Sequence, residues 1–285
     1  MKKFSQYLES HFFVSGIIIF TLLFLPGLSG CGDKQPFTFS VAADIQYSDK
    51  DTRINRHYRE SIERLKDYVE FLNNGSHAFM IQLGDVIDGY SDDANRSAGE
   101  LEVVLGVLDK LQIPAYHVVG NHCMSAGEDV LKTSFSLDRF FYDFSFPGAR
   151  GWRFVVIDGN DAGYGIVSEG QVKWFRSVLI DAAANDERVL VFSHYALLRE
   201  AAANHRMAQP DPLLEAMDET GNVAAWFAGH DHAGGYAYRN GVHHLTLKGM
   251  VESPVNNAYI SVELHDDMIR ITGYGDETSR DLLLE

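Results

Sequence analysis

The sequence predicts an α/β fold in which two β-sheets pack as a sandwich between flanking helices, with residues 37–285 forming one domain. Two observations favour this class. As far as His232, short apolar runs typical of buried strands alternate with longer segments whose apolar residues recur at helical spacing. Beyond His232, strand-like runs follow one another across tight turns, which is typical of antiparallel strands.

The first part of the domain contains apolar runs that each lead into a polar motif. These predicted strands lie at residues 37–43, 78–83, 115–119, 189–192 and 223–228, and a further strand pair lies at 140–146 and 152–158. Helical spacing predicts helices at 57–73, 98–111 and 202–219. Another helix is expected to follow Ser168-Glu-Gly-Gln171, which has the form of a capping box.

The last part of the domain is predicted to be a run of antiparallel strands. They are expected at residues 234–239, 242–247, 258–264 and 268–274. The Asn240-Gly241 pair between the first two is a strong signal for a two-residue hairpin turn.

Composition places the chain among ordinary globular proteins and disfavours nucleic acid as a partner. Of the 285 residues, 46% are hydrophobic, and the formal net charge is -16. A strongly acidic chain offers no basic face for a phosphate backbone. An anionic substrate would therefore have to be attracted locally, for example by bound cations.

The first 30 residues have the pattern of an export signal, with two lysines, an apolar segment and then Leu28-Ser-Gly-Cys31. That tetrapeptide resembles the lipobox of bacterial lipoproteins, which implies cleavage before Cys31, lipidation of its sulfur and a tether over residues 31–36. An uncleaved membrane anchor is the alternative. We therefore expect the protein to be held outside the cytoplasm, periplasmic or at the cell surface, through its lipid alone. We also expect it to be a monomer. With Cys31 acylated, Cys123 has no disulfide partner.

Five motifs at the ends of predicted strands carry the ligands of a metal site. Carboxylate, amide and imidazole donors at strand ends suit first-row divalent cations, and the thiolates of a structural zinc site are missing. The motifs are Asp44-Ile-Gln46, Gly84-Asp85, Gly120-Asn121-His122, His194 and Gly229-His230-Asp-His232.

The order of these motifs resembles that of the calcineurin-like metallophosphoesterases. The resemblance implies the two-sheet metallophosphoesterase fold and two divalent metal ions, one held by Asp44, Gln46, Asp85 and His232 and the other by Asp85, Asn121, His194 and His230. Asp85 would then bridge the ions. His122 would be catalytic, lying beside the leaving-group oxygen and supplying a proton or a hydrogen bond.

Longer matches point to one branch of that superfamily, the manganese-dependent ADP-ribose/CDP-alcohol diphosphatases. They are Ala43-Asp-Ile-Gln-Tyr47, Gln82-Leu-Gly-Asp-Val-Ile-Asp-Gly89, Phe227-Ala-Gly-His-Asp-His232 and Gly241-Val-His-His-Leu-Thr-Leu247. This implies hydrolysis of the phosphoric anhydride in substrates such as ADP-ribose, CDP-choline or CDP-glycerol. Gln46 replaces the usual histidine with a harder oxygen ligand, which favours Mn²⁺, with Mg²⁺, Fe²⁺ and Zn²⁺ as alternatives.

Two positions depart from the branch, and two other functions stay open. Cys123 follows His122 where an acidic residue is usual, so we expect a weaker acid or compensation by Glu128 or Asp129; Lys248 replaces a usual glutamate. The alternatives are a phosphomonoesterase or cyclic-nucleotide phosphodiesterase on the same site, and a surface binding protein on an inactive scaffold.

Overall fold

The computed structural model describes residues 36–285, and within that range twelve strands form two six-stranded sheets. The strands are β1 Phe37–Ala42, β2 Met80–Gln82, β3 Ala115–His117, β4 Tyr142–Phe144, β5 Trp152–Ile157, β6 Arg188–Ser193, β7 Val223–Ala228, β8 Gly235–Arg239, β9 Val242–Thr246, β10 Ala258–Leu264, β11 Met268–Gly275 and β12 Arg280–Leu283. The α-helices are α1 Ser61–Asn73, α2 Ala94–Leu108, α3 Glu128–Phe135, α4 Glu169–Ala184 and α5 Asp211–Thr220. The predicted signal peptide and Cys31 lie outside the described residues.

Both sheets are mixed. The first has the order β12-β11-β10-β1-β2-β3, with β1, β2 and β3 parallel and the others antiparallel. The second has the order β4-β5-β6-β7-β9-β8, with β5, β6, β7 and β9 parallel and an antiparallel strand at each edge. The predicted class, an α/β sandwich flanked by helices, is confirmed.

The prediction that only antiparallel strands follow His232 was wrong for one strand. The Asn240-Gly241 turn does form the expected hairpin, with φ values of 50° and 80°. However, β8 runs along the outer edge of the sheet, so the hairpin returns β9 between β8 and β7, parallel to β7. The turn sets the pairing of β8 with β9 but not which of them joins the rest of the sheet.

Large aromatic side chains fill the space between the two sheets. Phe39 and Phe79 come from the first sheet and stack at 4.8 Å between ring centroids, and Phe154 and Phe192 meet them from the second. Helices α1 and α2 cover the outer face of the first sheet, and α4 and α5 cover that of the second. Burying both faces of each sheet fixes the register of the strands that lead to the site.

Local sequence accounts for where the helices begin. The Ser168 side chain accepts a hydrogen bond from the amide of Gln171, as the capping box predicts. Asp93 caps α2, which starts earlier than predicted, whereas Pro210 precedes α5, which starts later. The sequence prediction missed α3 and β12. Among residues 36–285, every helix falls short of the length and hydropathy needed to cross a membrane.

Candidate metal centre

The predicted ligands come from both sheets and meet where the strands end. Asp44 and Asp85 follow β1 and β2 in the first sheet, and His194 and His230 follow β6 and β7 in the second. The amide of His230 donates to Oδ2 of Asp44 across the sandwich at 2.9 Å. The candidate centre therefore lies over the carboxyl ends of the strands, at the junction of the sheets.

Backbone strain is concentrated at these residues. Asp44, Gln46, Asp85 and His230 have φ values of 51°, 46°, 47° and 67°. The left-handed region is unfavourable for residues with a side chain and costs about 1–3 kcal/mol at each. In each case the conformation lets the chain turn abruptly after its strand. Such strain is typical of a functional site.

Asp85, His194 and His230 form one cluster. Nε2 of His194 lies 3.1 Å from Oδ2 of Asp85 and 3.1 Å from Nδ1 of His230. These donor atoms lie within 4.8 Å of one another, close enough to hold one metal ion. Nδ1 of His194 donates to the carbonyl of Leu83 at 2.8 Å, which leaves Nε2 free as a ligand.

Asp44 and His232 form a second cluster beside the first. Nε2 of His232 lies 3.3 Å from Oδ1 of Asp44, and its Nδ1 lies 3.0 Å from the carboxylate of Glu252. Glu252 thus orients the ring with Nε2 toward Asp44, as partners of metal-bound histidines commonly do. The motif pattern gave no signal for Glu252, because it follows a different strand, β9.

The carboxylates draw positive charge into this buried site. Burial would lower the pKa of His232, but the neighbouring Asp44 raises it to about 10. Burial would likewise raise the pKa of Asp85, but the imidazole of His194 holds it below its usual range. Burial and the nearby His194 lower the pKa of His230 to about 4, so that this ring is neutral and able to bind a cation. The arrangement therefore favours the binding of cations next to the carboxylates of Asp44 and Asp85.

The residues present fit a metal ion on two further grounds. Oδ1 of Asp44 and Oε1 of Gln46 are buried and have no hydrogen-bond partner, although a buried acceptor normally has one. A Cβ at Gly120 would lie 2.1 Å from Oδ1 of Asp85, and one at Gly229 would lie 2.5 Å from Oδ2 of Asp44. Glycine is therefore needed for the backbone to approach both carboxylates.

Asn121 and His122 lie at the edge of this centre. Oδ1 of Asn121 lies 3.3 Å from the hydroxyl of Tyr195. The amide of His122 donates to Oδ1 of Asp85 at 2.8 Å. Nδ1 of His122 lies 2.9 Å from the carbonyl and 3.3 Å from the carboxylate of Asp88.

Asp88 is the acidic residue beside His122, where the sequence predicted Glu128 or Asp129. Neither Glu128 nor Asp129 bonds to the ring in the structure. The backbone carbonyl of Asp88 does, one carboxylate oxygen of Asp88 lies 3.3 Å from Nδ1, and Nζ of Lys50 lies 2.5 Å from the other. Cys123 is fully buried, and burial raises the pKa of its thiol to about 12, so it is an inert core residue. Asp88 lies in the Gln82–Gly89 motif, but that motif does not indicate that its carboxylate lies beside the ring of His122.

His205 was also missed. It falls in the helix predicted over residues 202–219, but the structure places it in the loop before α5, exposed and with its ring centroid 5.3 Å from that of His230. The amide of the preceding Asn204 donates to Asp231 at 3.2 Å and fixes the loop beside the site.

A fold of two mixed sheets with aspartates and histidines at the strand ends defines a metallophosphoesterase. The family model for calcineurin-like phosphoesterases matches residues 37–234, and the chain belongs to that family. It is a dinuclear-metal phosphohydrolase that acts on phosphoric anhydride or ester bonds.

Two curated relatives and one crystal structure are similar to this chain over most of its length. A manganese-dependent ADP-ribose/CDP-alcohol diphosphatase from Oryza sativa is 30% identical, over 87% of this chain and 94% of the relative. The protein of that name from Xenopus laevis is 28% identical, over 84% and 88%. The crystal structure of a dimetal phosphatase from Danio rerio superposes with a TM-score of 0.80 at 26% identity, covering 88% of this chain and all of that one.

Proposed function

We propose that the protein hydrolyses the phosphoric anhydride of nucleoside diphosphate derivatives such as ADP-ribose, CDP-choline and CDP-glycerol, with Mn²⁺ as its preferred metal. The observation that carries this proposal is the pair of adjoining ligand clusters around Asp85 and Asp44, in a chain similar to diphosphatases of that specificity. Gln46 supports the metal preference, since an amide oxygen suits Mn²⁺ better than Zn²⁺.

The proposed ligands divide between two ions. Asp44, Gln46, Asp85 and His232 would hold one, and Asp85, Asn121, His194 and His230 would hold the other. The ions would neutralise the phosphate charge and supply a nucleophilic water near neutral pH. Glu252 and the Leu83 carbonyl keep two of the imidazole ligands oriented.

His122 is proposed as the group that assists the leaving oxygen. Nδ1 bonds to Asp88, which leaves Nε2 to face a substrate. A ribosyl phosphate or choline phosphate is a poorer leaving group than an activated phenol and gains more from a proton donor.

We also propose export, lipid attachment at Cys31 and a monomeric state. The apolar segment followed by Leu28-Ser-Gly-Cys31 supports the first two. The third is supported by the centre itself, because all of its proposed ligands come from one chain. Radiolabelled palmitate should enter the full-length protein in a bacterial host and be absent from the Cys31→Ser variant.

The decisive experiment is a substrate panel with each metal. ADP-ribose, CDP-choline, cyclic nucleotides and p-nitrophenyl phosphate esters would be assayed with Mn²⁺, Mg²⁺ and Zn²⁺. We expect the diphosphate compounds with Mn²⁺ to give the highest kcat/KM. Preference for cyclic nucleotides or monoesters would contradict the proposed substrate class.

The matched variants are Asp85→Asn and Asp186→Asn. Asp85→Asn should lower kcat at least a thousandfold, since it weakens both proposed metal sites at once. Asp186 is exposed and has a φ of 56°, which asparagine tolerates, so its variant should keep full activity. A metal-loaded protein without activity on any substrate would favour a binding role.

A further inference from the structure

Tyr195 follows His194 directly and lies within the candidate metal centre, although it is not one of the proposed ligands. Only 2% of its surface is exposed. Its ring meets those of His194 and His230 nearly edge-on, with centroids 5.0 Å and 4.6 Å away. Its hydroxyl lies 3.3 Å from Oδ1 of Asn121. Tyr195 therefore contacts three of the four residues that are proposed to hold one of the ions.

The Tyr195 hydroxyl joins Asn121 to a second asparagine, Asn160. It donates to Oδ1 of Asn160 at 2.9 Å and to Oδ1 of Asn121 at 3.3 Å, so its single proton is shared between two amide oxygens. Nδ2 of Asn160 in turn donates at 3.0 Å to the carbonyl of Val119, two residues before Asn121. An amide oxygen has two lone pairs, so Oδ1 of Asn121 can accept this bond and still bind a cation.

Neighbouring residues fix the position of Tyr195. The indole of Trp226 donates to the Tyr195 carbonyl at 3.1 Å, and the amide of Asn160 donates to the Asp158 carboxylate at 2.8 Å. A Cβ at Gly159 would lie 2.2 Å from Cδ2 of the tyrosine ring, so the loop after β5 packs this closely only because it has glycine there. A hydroxyl held from several sides keeps the oxygen of the proposed ligand in one place before any ion binds.

The ligands proposed for the other ion alone are held by different contacts. Glu252 orients His232, and Oε1 of Gln46 has no hydrogen-bond partner. Among the described residues, the side-chain partners of the Tyr195 hydroxyl are the two asparagines. Loss of this hydroxyl should therefore affect the two ions unequally.

We infer that Tyr195 is a positioning residue, which holds the Asn121 side chain as a ligand and so raises the affinity for one ion of the pair. The inference rests on the proposed function, which assigns Asn121 to that ion. A carbonyl oxygen that is already aligned loses little freedom when it binds a cation. Partners of metal ligands commonly contribute about 10- to 100-fold in metal affinity. For one shared hydrogen bond we expect the lower end of this range.

Tyr195→Phe tests the inference, because it removes the hydroxyl and keeps the ring against His230. Metal-depleted full-length protein would be titrated with Mn²⁺ in a calorimeter. We expect two ions to bind, one with a Kd about tenfold higher than in the unmodified protein and the other with its Kd unchanged. The EPR spectrum at two equivalents of Mn²⁺ should accordingly show less of the spin-coupled pair. At saturating Mn²⁺, kcat for ADP-ribose should return to that of the unmodified protein.

Tyr68→Phe is the matched control, since Tyr68 is fully buried and its hydroxyl donates to Ser40 on β1 at 2.7 Å. It loses a buried hydroxyl of the same kind, so its free energy of unfolding should fall while both Mn²⁺ affinities stay the same. In Tyr195→Phe, equal weakening of both ions would indicate general loosening of the centre and overturn the inference. Unchanged affinity for both ions would also overturn it.

A double variant shows whether Tyr195 acts through Asn121. If it does, Asn121→Ala combined with Tyr195→Phe should bind the weakened ion no more weakly than Asn121→Ala alone. Additive losses would overturn the inference. Failure of the proposed function is seen in a different measurement, because unmodified protein with two bound Mn²⁺ ions that hydrolyses no diphosphate substrate contradicts that function alone.

Discussion

Three side chains in a row, Lys50, Asp88 and His122, connect a charge at the rim of the site to the proposed proton donor. Asp88 is nearly buried, with its carboxylate 2.5 Å from Lys50 and 3.3 Å from Nδ1 of His122. Lys50 also lies 4.3 Å from the centroid of the Tyr90 ring, which fixes its position. A carboxylate held in this way orients the imidazole and places a negative charge beside it.

Asp88→Asn should therefore impair catalysis in proportion to how much the leaving group needs a proton. The backbone carbonyl of residue 88 still holds the ring, but the negative charge beside it is removed. We expect kcat for ADP-ribose to fall roughly 10- to 100-fold and kcat for a p-nitrophenyl ester to fall by less than about threefold. Steady-state kinetics on both substrates measures the contrast.

Lys50→Met should produce a weaker form of the same contrast, because it removes only the anchor of Asp88. Lys66→Met is its control, since Lys66 makes only an exposed pair with Glu63 on α1. If Asp88→Asn lowers kcat equally on both substrates, His122 does not act on the leaving group.

At the scale of strands and helices, the sequence was informative wherever a pattern is local. Alternating and continuous apolar runs identified the strands that carry Asp44, Asp85 and His194, since each must bury its side chains in the sandwich. The short strand β12 was missed because only Leu282 in it is buried. Asp88, the partner of His122, and Glu252, the partner of His232, were missed because each contact forms between two loops. The sheets bring these loops together, and a sequence pattern does not show which loops become neighbours.

Gly120 and Gly229, which begin two of the metal motifs, are part of the site. Gly120→Ala should weaken Mn²⁺ binding at least tenfold, because the added Cβ would lie 2.1 Å from Oδ1 and 2.5 Å from the amide nitrogen of Asp85. Neither atom can move without displacing the proposed bridging ligand. Activity titrated with Mn²⁺ gives the apparent affinity.

Gly106→Ala is the matched control, because a Cβ there meets no atom within 4 Å. Gly106 lies within α2, so this variant should raise the free energy of unfolding by about 0.5–1 kcal/mol and leave Mn²⁺ affinity unchanged. Unaltered Mn²⁺ affinity in Gly120→Ala would show that Asp85 is not held where the structure places it.

Across the whole molecule, acidic groups outnumber basic ones and several of them are buried. The chain has 40 aspartates and glutamates against 24 lysines and arginines. Burial raises the pKa of Asp158 to about 6 and that of Glu277 to about 7. Both groups are more easily protonated in the folded chain, so each favours folding at low pH and loses that contribution as the pH rises.

Glu277 offers the clearest test of this pH dependence, because it lies between β11 and β12 and the groups that act on its carboxylate, Lys248, Thr278 and Arg280, are not proposed metal ligands. Its ordinary pKa is 4.5, so its stabilising contribution is fully present below pH 4.5 and is lost as the pH rises through about 7. That difference corresponds to about 3 kcal/mol at most. Glutamine can still accept the 2.7 Å hydrogen bond from the amide of Lys248 without carrying a charge.

Glu277→Gln should therefore raise the Tm at pH 8.5 and leave it nearly unchanged at pH 5. For a domain of this size each kcal/mol shifts Tm by roughly 2–4 °C, so a rise of several degrees is expected. Glu215→Gln on the exposed face of α5 removes the same charge and controls for the general effect of a less acidic chain. Equal shifts in the two variants, or a larger gain at pH 5 than at pH 8.5, would mean that Glu277 is not destabilised by burial.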